Sequence, residues 1–367
     1  MACCPKSIVA EIVAKHSKIT HVYFVACGGS YAGLYPAKYF MQSNVKDLKI
    51  GHYSANEFCH ATPKALGETS IVVTQSFSGT TPETARAAQI AREAGAATVA
   101  ITYDAESPLA CNSEWVITYG NKAGQPAGEA NDNGHTKGLW LAAEILNAIE
   151  GYEHYDAFMK AYEQFNTIVP AAKEKFAPIA KEWAEKYGEE KLIYVMGSGP
   201  NYGVTYSWAI CLLQEMQWIH SEPIHSGEFF HGPFEVTDTD VPFLVLKNYG
   251  KEALENAKQN WIVEYGAEVV RDLVDIDDDA KLAAYVAENN GETRLLDERA
   301  AEFAAKFSEH VNVLDCNEFV WDGIDEDLRK YFGVLVVGAV IRTYADALAY
   351  HRGHPLSVRR YMWNMAY

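Results

Sequence analysis

Along the first third of the chain, short apolar β-branched runs alternate with stretches of helical spacing. The segment His21–Phe40, HVYFVACGGSYAGLYPAKYF, begins with a strand pattern, turns through glycine and serine, and continues with apolar residues on one helical face. The same reading predicts a helix over 31–41, strands over 48–53 and 70–75, a helix over 82–94, and strands over 98–103 and 115–119. Strands separated by helices in this way build a parallel sheet covered on both faces. Helical patterns over 134–149 and 152–187 lead to Lys191–Leu212, KLIYVMGSGPNYGVTYSWAICL, where the opening phrase returns: strand, Gly/Ser turn, tyrosine, glycine, helix. Further strands are expected over 192–196, 243–247 and 311–314. The fold class is therefore α/β, with two tandem subdomains, each a mostly parallel doubly wound sheet flanked by helices. The boundary falls in the helical stretch between 150 and 190, giving domains 1–170 and 171–350 and a tail over 351–367. An acidic helical insert over 251–290, including Asp275–Asp279, reads as a solvated elaboration, with a lid or an altered interface as alternatives.

Composition narrows the class. A chain of 367 residues with 49% hydrophobic and 12% aromatic content can bury a large core. Its formal charge of −18 argues against nucleic acid and anionic membrane as partners, since both need a basic face. The seven cysteines show neither CxxC nor metal-type pairing with histidine, which points to a reducing cytoplasm. The N-terminal stretch, interrupted by Glu11, does not read as a secretory signal, and the longest apolar run, Val334–Ile341, is too short to span a bilayer.

Candidate chemistry begins at Ile71–Thr84, IVVTQSFSGTTPET, where a strand runs into hydroxyl residues at the start of a helix. Such a turn offers unpaired N–H groups, the positive end of a helix dipole and Oγ donors, which together suit a phosphate. An ordinary helix cap would read the same on this segment alone. Gly28–Ser30 lies at another strand end, however, and ligands of open α/β sheets sit at such ends, so both turns are expected to face one crevice. Neither glycine turn has the GxGxxG spacing of a dinucleotide site.

Taken together, the GGS turn followed by tyrosine, the SxSGxT turn and Ser107-Pro108-Leu109-Ala110 resemble the sugar isomerase (SIS) family of phosphosugar-handling proteins. The resemblance implies that Gly29, Ser30, Ser76, Ser78 and Thr81 hold a sugar and its 6-phosphate, with Thr136 a further contact. Gln214–Glu235, QEMQWIHSEPIHSGEFFHGPFE, is similar to the isomerase half of glucosamine-6-phosphate synthase and to the deglycases of phosphorylated Amadori compounds. Together with the terminal HPLSVRRYMW, it is nearest in wording to deglycases of 6-phosphofructose-aspartate and more distant from those of fructoselysine 6-phosphate. The family match makes Glu215 a catalytic acid/base and His231 its partner, in a homodimer with active sites shared across the interface. His354, Arg359 and Tyr361 match the family's tail pattern and become binding candidates.

The implied reaction releases glucose 6-phosphate and aspartate from a phosphosugar–amino acid conjugate, and needs neither metal nor cofactor. A carboxylate moves a proton from C1 to C2 and water hydrolyses the resulting imine. Apolar neighbours of Glu215 would lift its pKa toward neutrality, and His231 could open the ring. His220 and His225 are expected to support the site or an interface. The basic tail could instead dock on a partner, and Arg359 or Arg360 could pair either the phosphate or the amino-acid carboxylate. Two other functions compete: an aminosugar-phosphate isomerase or deaminase using the same shuttle, and a non-catalytic sugar-phosphate sensor. A first strand at about residue 21 leaves no room ahead of it for a glutaminase or a DNA-binding domain.

Overall fold

The computed structural model describes residues 4–120, 129–250 and 296–362, with 278, 280, 281 and 284 between them. The expected acidic insert thus lies almost wholly outside the described residues. Strands β1 (His21–Ala26), β2 (Lys49–Ser54), β3 (Ser70–Gln75), β4 (Ala97–Thr102) and β5 (Trp115–Thr118) form one parallel sheet of order β2-β1-β3-β4-β5. Residues of β3 and β4 are buried throughout, as strands covered on both faces must be. The second sheet holds β6 (Tyr194–Gly197), β7 (Pro223–His225), β8 (Phe243–Lys247) and β9 (Val311–Asp315) in the order β7-β6-β8-β9, again parallel. Its four strands repeat the arrangement of the first four of the other sheet, with β6 in the place of β1 and β8 in that of β3.

The helices are α1 (Pro5–Lys15), α2 (Gly28–Asn44), α3 (Ala55–His60), α4 (Pro82–Glu93), α5 (Pro108–Cys111), α6 (Gly134–Ile149), α7 (Tyr155–Tyr187), α8 (Tyr202–Tyr206), α9 (Leu296–Phe307) and α10 (Glu326–His351). Helix α2 starts three residues before the expected Tyr31, so Gly28, Gly29 and Ser30 form its first turn rather than a loop. From α8 the chain continues without a break into a π-helix, Ser207–Met216.

Helices α7 and α10 join the halves. Phe158 of α7 packs on Phe40 of α2 at 5.5 Å and on Phe332 of α10 at 5.2 Å, and all three rings are fully buried. Burying each such ring stabilises the fold by about 1.5–3 kcal/mol. One continuous apolar core includes Phe24 of the first sheet and Leu244 of the second. The boundary expected at residue 170 falls inside α7, which runs on through Pro170 and Pro178. Helix α10 is long and apolar enough to cross a membrane, but it is mostly buried within the protein, the signature of a core helix.

Candidate active site

Two helices begin at the C-terminal edge of the first sheet without side-chain caps. The residue before α2 is Cys27 and the one before α4 is Thr81, and neither side chain bonds the helix's first N–H groups. Pro82 occupies the first position of α4, where a missing N–H costs nothing. The turn between β3 and α4 passes through Gly79 at φ +68, a left-handed conformation suited to glycine. A Cβ there would also come within 2.0 Å of Ser107 Oγ. Ser76 Oγ lies 3.0 Å from Thr81 Oγ1, and Ser78 Oγ 2.6 Å from Thr80 Oγ1, so the hydroxyls are gathered at one helix end. Uncapped N–H groups and clustered hydroxyls are the chemistry that suits an anion.

Helix α6, starting near the same edge, is different. Asn133 caps it by accepting from the N–H groups of His135 and Thr136, while Thr136 Oγ1 accepts from Asn133 N. Thr136 also donates to the carbonyls of Asn131 at 2.7 Å and Asn133 at 2.9 Å. It is buried in that cap and does not line the cavity described below.

A cavity of about 790 Å³ lies over these helix ends, and Gly29, Ser30, Ser76, Ser78, Thr81 and Glu215 all line it. The two hydroxyl turns therefore share one crevice. Glu215 reaches the cavity from the π-helix, together with Ser207 and Cys211. A π-helical run widens the turn and re-aims side chains, and such segments recur at functional sites.

The surroundings of Glu215 are not the apolar pocket its neighbours in sequence suggested. Its side chain is 28% exposed, and Arg359 Nε donates to its Oε1 at 2.7 Å. Leu212 and Leu213 turn into the core, leaving the carboxylate to face a guanidinium. Burial, reinforced by the nearby Glu215 carboxylate, pushes the Cys211 thiol up to about 11, which keeps it neutral.

Three more residues line the cavity that the sequence did not single out. Gln75 ends β3 with its side chain buried, and among the described residues its Oε1 has no partner. His135 is exposed on the cavity wall, and the protein packed around its ring pushes its pKa down to about 4 and keeps it neutral. Arg342 of α10 pairs with Asp346 at 3.3 Å on the same helix. Gln75 directly precedes the hydroxyl turn, and that adjacency was the available signal; nothing local marks Arg342.

The remaining candidates lie apart from the hydroxyl turns. His231 is exposed at the end of a 3-10 turn, Phe229–His231, and does not line this cavity. Arg359 and Tyr361 line a second cavity, which Glu215 also borders. His354 packs edge-on against Trp218 at 4.3 Å. His220 lines the second cavity, and His225 packs against Tyr202 at 5.0 Å.

Comparison with known proteins agrees with this geometry. The SIS domain matches residues 16–126. Over 353 residues, 96% of this chain and 94% of the relative, the sequence is 39% identical to the fructosamine deglycase FrlB of Bacillus subtilis strain 168. It is 30% identical over 247 residues to the fructoselysine 6-phosphate deglycase of Escherichia coli K12, covering 65% of this chain and 68% of that protein. A solved structure from Salmonella typhimurium LT2, provisionally named a phosphosugar isomerase, superposes with a TM-score of 0.84 at 35% identity over 99% of this chain and 96% of that one. Two parallel sheets, one cavity at the hydroxyl turns and similarity along nearly the whole length lead to one assignment: the chain belongs to the SIS-domain family, alongside the fructosamine deglycases.

Proposed function

We propose that the protein is a cytosolic, homodimeric deglycase that hydrolyses 6-phosphofructosyl amino acids, with the aspartate conjugate as substrate, to glucose 6-phosphate and the free amino acid. The observation that carries this reading is the cavity whose one wall is an anion seat and whose other wall bears Glu215. A phosphate held by Ser76, Ser78 and Thr81 at the helix ends would leave the sugar's C1–C2 edge toward that carboxylate. Glu215 takes a proton from C1, the C2 carbonyl oxygen gains one, and a 1,2-enaminol forms. Returning a proton to C2 gives an aldose imine, and water releases the amine. Neutral His135 and the amide of Gln75 suit sugar hydroxyls, because both can donate and accept without bringing charge. His231, exposed on its turn, is proposed to complete the cavity of the partner subunit. No step asks for a metal or a cofactor.

Fructoselysine 6-phosphate is the second reading, favoured by the similarity to the E. coli enzyme. Purified protein is expected to release glucose 6-phosphate from phosphorylated fructosyl amino acids, fastest from the aspartate conjugate. Glu215→Gln should slow that release by orders of magnitude while retaining glucose 6-phosphate binding. Release only from the lysine conjugate would replace the substrate; release from no conjugate, with activity on glucosamine 6-phosphate instead, would replace the reaction.

A further inference from the structure

Glu215 borders two cavities. The first carries the anion seat; the second, of about 920 Å³, is formed by the C-terminal tail against the end of the π-helix and the segment after it. In the proposed reaction the proton leaves C1, the carbon that bears the amine, so the group that removes it stands where sugar ends and amine begins. With the phosphate end in the first cavity, whatever the amine carries continues into the second.

The lining of the second cavity is cationic next to Glu215. Arg359 is 8% exposed; its Nε donates to Glu215, and its Nη1 donates to the carbonyls of Leu356 at 2.6 Å and Val358 at 2.9 Å. Among the described residues Nη2 has no hydrogen-bond partner. The guanidinium of Arg360 lies over the Trp218 ring at 4.0 Å, and His354 packs against the same indole. Among the described residues Trp218 is the single non-glycine with positive φ, at 55°, a backbone state that persists only where its surroundings enforce it. Trp218 thus holds Arg360 and His354 of the tail, while Arg359 meets the carboxylate. Glu215 itself and Glu222 on the rim are the two carboxylates of the lining, so an anionic ligand would seat on the arginine side.

We propose that the second cavity is the amine-side subsite and that Arg359 is its carboxylate receptor and a latch on Glu215. Without substrate, Arg359 holds Glu215 in an ion pair. A bound conjugate offers Arg359 the α-carboxylate instead, and Glu215 is released to take the C1 proton. An amino acid joined through its α-nitrogen carries that carboxylate on the carbon bonded to the amine, within reach of a guanidinium beside Glu215. A lysine joined through its side-chain nitrogen carries it at the far end of the aliphatic chain. The proposal rests on the deglycase reading.

The test compares two synthetic conjugates with the same 6-phosphofructosyl group, one on glycine and one on methylamine, which lacks the carboxylate. The wild type is expected to favour the glycine conjugate in kcat/KM by about thirtyfold or more. Arg359→Gln should lose most of that preference through a raised KM for the glycine conjugate, and should raise kcat for the methylamine conjugate, since Glu215 no longer has a cation to shed. Inhibition by glucose 6-phosphate and the melting temperature report whether the variant is folded. Wild type that cleaves both conjugates equally, or a variant that loses the same factor on both, overturns the proposal. Failure of the wild type to cleave either one overturns the deglycase reading itself.

Discussion

The two sheets raise the same scaffold to opposite ends. At the first, the strand β3 is followed by Ser76 and the helix α4 begins uncapped, so its N–H groups and hydroxyls face a cavity. At the second, β8 is followed by Asn248, and Asp297 stands in α9 between β8 and β9. Asp297 is 1% exposed, and its Oδ2 accepts from Asn248 N at 2.9 Å and from Asn248 Nδ2 at 3.1 Å. A carboxylate of the chain thus takes the N–H that follows β8, where the first sheet turns hydroxyls toward a cavity. Equivalent strand ends are put to different uses, hydroxyls lining a cavity in one copy and a buried carboxyl bonded to the next residue in the other.

Disabling the open side should have the largest effect. Glu215→Gln is expected to lower turnover by about 10²–10⁴, the range of a lost general acid/base, with glucose 6-phosphate inhibition preserved. No substitution at Asp297 that leaves the fold intact should approach that loss.

Next in size comes the backbone of the cradle. Gly79→Ala forces a left-handed alanine whose Cβ meets Ser107, so denaturant unfolding should show a loss of about 2 kcal/mol or more together with weakened phosphosugar inhibition. A smaller change should follow from removing hydroxyls. Ser78→Ala is expected to weaken glucose 6-phosphate inhibition about tenfold, the scale of one hydrogen bond to an anion, whereas Ser198→Ala at the second sheet should leave it unmoved. Equal losses from both serines would erase the distinction between the sheets.

The smallest difference is one of pH, and its sign differs between the sheets. Desolvation by the packed protein around its ring holds His135 neutral with a pKa of about 4, so its contribution to stability is present above the unfolded histidine value and is lost as pH falls toward 4. Burial raises the pKa of Asp297, with hydrogen bonds from its neighbours opposing, so its contribution is present below the unfolded carboxylate value and is lost as pH rises through the folded one. Melting curves of His135→Gln should therefore flatten on the acid side relative to wild type, and those of Asp297→Asn on the alkaline side.

Much of the first sheet was legible because its signals are local. Strand β3 and helix α6 fall where apolar periodicity and the following turn put them, and the hydroxyl cluster at Ser76–Thr81 could be read from adjacency alone. Thr136 shows how short the local view is: in a stretch that also holds Asn133, a threonine that bonds its own helix start reads like one that bonds a sugar. The environment of Glu215 was beyond local reading. Its partner Arg359 lies 144 residues away, and the π-helix that aims it leaves no periodic signature separable from α-helix. The pairing of Asp297 with Asn248, 49 residues upstream, is equally non-local, and no pattern in either segment announces it.

The most direct test of the chemistry follows the hydrogen at C1. With a conjugate carrying two deuterium atoms at C1, NMR of the sugar released by wild type should show glucose 6-phosphate with one deuterium left on C1, because Glu215 has taken the other. Fructose 6-phosphate retaining both deuterium atoms would mean that the C–N bond broke without proton removal, and would contradict the account.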